Sequence, residues 1–156
     1  YVFNDEVILK THPTMLYKIM DFLANNQLLR FKVLADICAI DYPEKKNRFE
    51  VVYNLLSIDF NFRLTVTTSV REGISLDSVT SIFKSANWLE REVWDMYGVF
   101  FTKHPDMRRI LTDYGFKGHP LRKDFPLTGF VEIHYDDFNK KLYLNTTKIV
   151  IFMFNI

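Results

Sequence analysis

Three groups of residues in this chain have the types and spacing for chemistry. His104 and Asp106 stand two apart with His119 downstream, a set that would suit a metal-dependent hydrolase. Zinc and non-haem iron need three or four converging ligands. There is no HExxH run, and these histidines lie among prolines and basic residues, so bonding to carboxylates or carbonyls is the expected role. Cys38 is a nucleophile by type. With no histidine close in sequence and no pKa-lowering neighbour evident, it is expected to be a buried structural thiol within a strand. Glu90 and Glu92, two apart on a helix, point to different faces and cannot form an acid–base dyad with each other. No catalytic, cofactor-binding or metal-ligating residue is therefore assigned.

Composition narrows the classes further. The 156 residues carry 20 Lys+Arg against 19 Asp+Glu, a net charge of +1, which argues against a polyanion binder. A single cysteine excludes an intramolecular disulfide framework and any multi-cysteine iron–sulfur or structural zinc site. Five glycines are too few for a Gly-rich phosphate cradle. No run approaches the roughly 18 uncharged apolar residues of a spanning helix, and no charged-then-apolar leader pattern is visible. No repeat or low-complexity stretch divides the chain.

Hydrophobic periodicity places the elements. Leu16, Ile19, Met20 and Leu23 share a helical face over 13–26, with Thr11 as its N-cap and Pro13 in its first turn. Phe31, Val33, Ala35, Ile37 and Ala39 alternate, as do Phe49, Val51, Tyr53 and Leu55, and Phe62, Leu64, Val66 and Val70. Short connections make these three strands an antiparallel meander. Asp77 is expected to cap a short helix carrying Val79, Ile82 and Phe83. Asn87 and Glu90 read as a capping box opening a helix over 88–97, which Gly98 stops. The fold class is α+β: two layers, a mixed, mostly antiparallel sheet with helices on one face. Residues 1–103 form this domain. Residues 104–156 form an extended charged loop and tail, punctuated by Pro105, Gly115, Gly118, Pro120 and Pro126, expected to dock on other chains. Long irregular loops are usually functional.

On the helix over 88–97, Leu89, Val93, Met96 and Tyr97 make the apolar stripe. Glu90 and Trp94 lie on another face, Arg91 and Asp95 form an i, i+4 pair, and a solvated, salt-bridged surface is the expectation for Glu90, Arg91 and Asp95. Glu92 edges the apolar stripe and is expected to need a cation from Arg108, Arg109, Arg122 or Lys123, with Asp124 paired in the same way. A nucleic-acid patch over 103–124 is disfavoured by its interleaved acids. A loop rich in arginine, aromatics and prolines suits a protein–protein interface, with Trp94 as an exposed anchor. The run Ile149–Phe154 is an aggregation hazard if bare and must be buried, with residues 142–156 expected to pack on another chain.

The residues then become specific. Glu90-Arg91-Glu92-Val93-Trp94-Asp95-Met96-Tyr97-Gly98 leads to His104-Pro105-Asp106-Met107-Arg108-Arg109-Ile110-Leu111, and then to Gly118-His119-Pro120-Leu121-Arg122-Lys123-Asp124-Phe125-Pro126-Leu127. This order resembles the signature of the thirty-kilodalton (NuoC-type) subunit family of respiratory complex I, also known as subunit 9 of mitochondrial NADH dehydrogenase. The segments Asp36–Pro43, Arg48–Tyr53 and Thr128–Asp137 extend the resemblance over about residues 15–140. It implies a cofactor-free subunit of the peripheral arm of NADH:ubiquinone oxidoreductase. FMN, iron–sulfur clusters and ubiquinone would belong to the assembled complex. The implied partners are other peripheral-arm subunits, chiefly the large quinone-site (forty-nine-kilodalton type) subunit and its small iron–sulfur neighbour. No nucleic acid is implied, and membrane association comes only through the complex. The implied location is the matrix side of the mitochondrial inner membrane, with the cytoplasmic side of a bacterial plasma membrane as the alternative. The signature and interface residues are Glu90, Arg91, Glu92, Trp94, Asp95, His104, Pro105, Arg108, Arg109, His119, Pro120, Arg122, Lys123 and Asp124.

Overall fold

Strands that alternate apolar and polar residues need a second layer on their apolar side, and two helices supply it here. The computed structural model describes the backbone of residues 2–3 and 6–146 and the side chains from residue 7 onward within them. The main sheet contains β1 (Val2–Phe3), β2 (Glu6–Thr11), β3 (Val33–Asp41), β4 (Phe49–Ser57) and β5 (Phe62–Val70), in the order β1-β2-β5-β4-β3. β3, β4 and β5 are the expected antiparallel meander, and β2 joins it parallel to β5. The core is formed by Leu34, Ile37, Ala39, Phe49, Val51, Tyr53, Leu55, Leu64, Val66 and Val70 from the sheet. Leu16, Met20, Leu23 and Ala24 of α1 (Leu16–Asn25), and Ala86 and Val93 of α2 (Ala86–Tyr97), pack against them. This is the two-layer mixed α+β fold read from the sequence. Among the described residues no helix is long and apolar enough to cross a membrane.

Several details differ from the sequence reading, each for a local reason. The first helix starts as a 3₁₀ turn over Pro13–Met15 capped by His12, whose Nδ1 accepts the Thr14 amide, while Thr11 belongs to β2. In β3 the register shifts between Leu34 and Asp36. This β-bulge turns Leu34 inward and leaves Ala35 exposed, breaking the expected alternation from Phe31. Cys38, expected to be buried, is exposed on the sheet face away from the helices.

The short helix expected after Asp77 is absent. Leu76–Asp77 forms β6, parallel to β7 (Phe101–Thr102). The Asp77 carboxylate accepts the Thr102 hydroxyl at 2.7 Å instead of capping a helix, so the chain runs on through turns to α2. The expected capping box does not form either. Ser85, not Asn87, is the N-cap residue of α2, and Ser85 Oγ donates instead to the Leu34 carbonyl at 3.1 Å. Beyond the domain, β8 (Val131–Asp136) and β9 (Lys141–Thr146) make a separate antiparallel hairpin. The apolar run Ile149–Phe154 lies outside the described residues.

Candidate functional site

An α-helix ends with four carbonyls that lack partners within the helix, and at α2 each finds a donor. The Gly98 amide donates to Trp94 O at 2.8 Å, His119 Nδ1 to Asp95 O at 2.9 Å, the Leu121 amide to Met96 O at 3.1 Å, and Arg122 Nε to Tyr97 O at 2.6 Å. Three of these donors come from the segment His119–Arg122, which lies across the helix end. Gly98 makes the approach possible. It sits at φ +78°, and a Cβ there would press on Arg122 and lie 2.7 Å from the His119 ring.

Asp95 anchors the other half of the loop from one turn back. Its side chain is fully buried. Oδ2 accepts the amides of Ile110, Leu111 and Thr112 at 3.2, 2.9 and 3.0 Å. Oδ1 accepts Arg109 Nη1 and the Thr112 hydroxyl, both at 2.6 Å. Burial alone would raise this carboxyl. The Thr112 hydroxyl and amide, the Leu111 amide and the Arg109 guanidinium outweigh it and hold the group at about 2. Arg109 reaches on to Gly118 O at 3.0 Å and lies over the Trp94 and Phe116 rings. Arg91 donates to the carbonyls of Arg108 and Arg109 at 3.0 and 3.4 Å.

Two further carboxylates tie the loop and helix to the domain. Asp41 receives both forks of Arg48 at 2.7 and 2.9 Å and the Lys123 amide at 2.8 Å. The Arg48 bond leads in holding its carboxyl below the usual range. Arg48 also meets Asp124 at 2.9 Å and Glu72 at 3.4 Å, and Glu72 receives Arg122 at 2.6 Å. Glu90 is buried in the core, accepting the Ser78 hydroxyl at 2.6 Å and the Val79 amide at 2.7 Å. Burial pushes its carboxyl up to about 7, against the opposing pull of those two bonds. This is why no capping box forms: the carboxylate is held by the turn after β6.

The sequence-derived site residues thus separate. Asp95, Arg109, His119 and Arg122, with Arg91 on the loop carbonyls, converge on the end of α2, and Asp124 and the Lys123 backbone join the Arg48 network. The solvated face expected of Glu90, Arg91 and Asp95 is instead buried, and Asp95 pairs with Arg109 rather than Arg91. The expectation for Glu92 is overturned. It is exposed, with no ion pair or hydrogen bond among the described residues, because the helix turns it outward between buried Arg91 and Val93. Trp94 is half-buried under Arg109, and the exposed tryptophan is Trp88. Arg108 pairs on the surface with Asp106 at 2.8 Å, and Pro105 and Pro120 shape the turns beside the two histidines. His104 Nε2 donates to Asn87 O at 3.1 Å while Nδ1 accepts the Asp106 amide at 3.1 Å. Both ring nitrogens are engaged, which argues against the hydrolase set His104, Asp106 and His119; among the described residues no group of three or more such side chains converges.

Sequence reading missed Asp41, Arg48, Glu72, Ser78 and Thr112. Asp41 carried a signal: it continues the inward phase of Ile37 and Ala39, and a charge at a core-facing strand position calls for a buried partner.

The geometry therefore describes a helix end gripped by its own downstream loop, and comparison with known proteins gives this arrangement its family. Residues 9–131 match the model for the respiratory-chain NADH dehydrogenase 30 Kd subunit. The chain is 58% identical over 137 residues to the NADH-ubiquinone oxidoreductase subunit 9 of Reclinomonas americana, covering 88% of this chain and 67% of that one. It is 58% identical over 132 residues to the NADH dehydrogenase [ubiquinone] iron-sulfur protein 3 of Beta trigyna, covering 85% and 69%. It also resembles a chain in the solved structure of the membrane-bound sulfane sulfur reductase, an archaeal respiratory membrane complex. That match has a TM-score of 0.68 and 25% identity over 80% of this chain and 75% of that one. This chain belongs to the 30 kDa subunit family of the respiratory-chain NADH dehydrogenase.

Proposed function

We propose that the chain is a cofactor-free structural subunit of the peripheral arm of NADH:ubiquinone oxidoreductase. It adds no catalytic side chain. It supports NADH-to-ubiquinone electron transfer, coupled to proton pumping, by stabilising the subunits that build the quinone site. FMN, iron–sulfur clusters and ubiquinone are held elsewhere in the assembly, in keeping with a chain that has one cysteine. Its neighbours are the large quinone-site (forty-nine-kilodalton type) subunit and the small iron–sulfur subunit, on the matrix side of the mitochondrial inner membrane. Residues 1–103 act as the folded body and 104–156 as the docking segment.

The observation that carries this reading is the β8–β9 hairpin. Its register puts Val131, Ile133, Tyr135, Leu142, Leu144 and Thr146 on one face, with Glu132, His134, Asp136, Lys141, Tyr143 and Asn145 on the other. The five apolar side chains of the first face are exposed. A lone two-stranded hairpin is at best marginally stable in water, so an amphipathic one presenting an apolar face needs a partner surface. The charged signature residues meanwhile hold the loop that positions this hairpin.

The test replaces Leu142 and Leu144 together with Asp. Both are exposed, so the chain's own melting should not move. The expected result is loss of assembled complex on native gels, with normal NADH:ubiquinone turnover per complex that does form. Full assembly with lowered turnover would show instead that the chain takes part in chemistry, and full assembly with normal turnover would remove the docking role of the hairpin.

A further inference from the structure

A concavity of about 630 Å³ opens at one end of the main sheet, remote in sequence from the α2 clamp. It is formed by the ends of β2 and β5, the start of β4 and the turn between β3 and β4. Lys10, Lys45, Lys46 and Arg71 line it, against one carboxylate, Glu50. In a chain whose total charge is +1, that is a marked local excess of cations.

Most arginines outside the concavity show the contrast. Arg30, Arg48, Arg108, Arg109 and Arg122 are each paired with a carboxylate. Among the described residues no ion pair is found for Lys10, Lys45, Lys46 or Arg71. Lys45 lies over the Tyr42 ring at 3.5 Å, which holds its ammonium at the rim without neutralising it. Asp41 and Glu72, next in sequence to the lining residues Tyr42 and Arg71, are already held by Arg48 and Arg122. Glu44 shares the turn with the lysines but does not line the concavity.

We propose that this concavity receives an Asp/Glu-rich segment of another polypeptide in the assembled complex. Phosphate sites are typically built from backbone amides of Gly-rich loops and helix N-termini, and no glycine lines this one. Lysines on flexible stems are compact point charges without the rigid bidentate fork of arginine. That suits a string of carboxylates spaced along a chain. The proposal rests on membership of the complex and not on the hairpin docking, which lies on a different part of the molecule.

The experiment is zero-length carbodiimide coupling of the purified whole complex, which joins an amine to a carboxylate only where the two touch. Peptide mass spectrometry then maps the isopeptide bonds. The expected result is bonds from Lys10, Lys45 or Lys46 to an acidic segment of another chain, lost when inorganic tripolyphosphate or high salt is present during coupling. A second preparation carries Lys45→Glu with Lys46→Glu. Its cross-links from Lys10 should disappear, while the paired change Lys18→Glu with Lys84→Glu, both exposed and outside the concavity and the hairpin, leaves them intact. Bonds confined to Glu44 or Glu50 of the same chain, or none from these lysines, would overturn the proposal. So would inter-chain bonds to isolated carboxylates that survive the charge reversal.

Discussion

Replacing Asp95 with Asn tests whether α2 and the loop over 104–125 are one unit. The carboxylate is fully buried and accepts five hydrogen bonds, one of them from the half-buried Arg109. An amide keeps the shape but turns an NH₂ group toward either the three backbone amides or the Arg109–Thr112 pair. Either way donors face donors. Breaking one side of a buried pair costs about 3–5 kcal/mol. At about 2–4 °C for each kcal/mol in a domain of this size, melting should fall by roughly 6–20 °C.

The pH profile gives an independent reading of the same group. Its folded carboxyl sits at about 2 against an ordinary 3.8, so the folded state binds its proton less readily than the unfolded one. That is about 2 kcal/mol of stability, fully present above the ordinary value and lost as pH falls through about 2. Thermal melts of the full chain should therefore show the gap between wild type and Asp95→Asn narrowing in strong acid. Glu92→Gln, one turn position away but exposed, should stay within about 0.5 kcal/mol of wild type. If Asp95→Asn were as mild as Glu92→Gln, or if its deficit were unchanged in acid, the clamp would not hold the loop.

Two further outcomes follow from neighbouring groups. Glu90 has its carboxyl raised from 4.5 to about 7, the opposite sign to Asp95. The folded state takes up a proton in that window, so stability is full below 4.5 and declines as pH rises through 7. Glu90→Gln should flatten this decline in a melting series and, above neutral pH, exceed wild type by up to about 3 kcal/mol; a decline that persists in the variant would assign it to another group. Gly98→Ala forces a Cβ onto a left-handed backbone position against Arg122 and the His119 ring. Urea unfolding should show a loss of about 1–3 kcal/mol, and a neutral result would mean that the loop does not close on the helix end.

How much of this was legible depended on whether one element or several determined an outcome. The meander and both helices follow from periodicity within single segments, and Leu16, Met20, Val51, Tyr53 and Val93 are buried as their spacing requires. β2 escaped because its pairing with β5 joins residues more than fifty positions apart, as Val7 with Leu64. The bulge at Ala35 escaped because one inserted residue inverts the facing of the β3 residues before it, so that Leu34 turns inward. The helical wheel of α2 failed more instructively. It ranked Glu90, Arg91 and Asp95 by charge and placed them in water. The fold buried them because Ser78, Val79, Arg109 and the loop amides arrive from segments that local pattern reading cannot bring together.

That failure bears on how a charged signature should be understood. A dense run of arginines, histidines and carboxylates suggests chemistry or a polar interface, yet here most of these groups face inward toward each other. Asp95 gathers three consecutive amides, His119 and Arg122 close the end of a helix, and Asp41 holds the Lys123 amide. Polar groups buried in this way must be fully partnered or they destabilise, which makes such a network sensitive to every member and gives it one geometry. With the docking role proposed above, this gives a division of labour along the chain. The charged residues fix the path of the loop, and the apolar side chains after it, from Leu127 through Ile133 to Leu144, stay exposed, the surface that the proposal assigns to a partner. On this argument a substitution in the signature and one in the hairpin should both reduce assembly. Only the signature substitution should also lower the melting temperature of the chain alone, so the two measurements together separate the residues that shape the docking segment from those that dock.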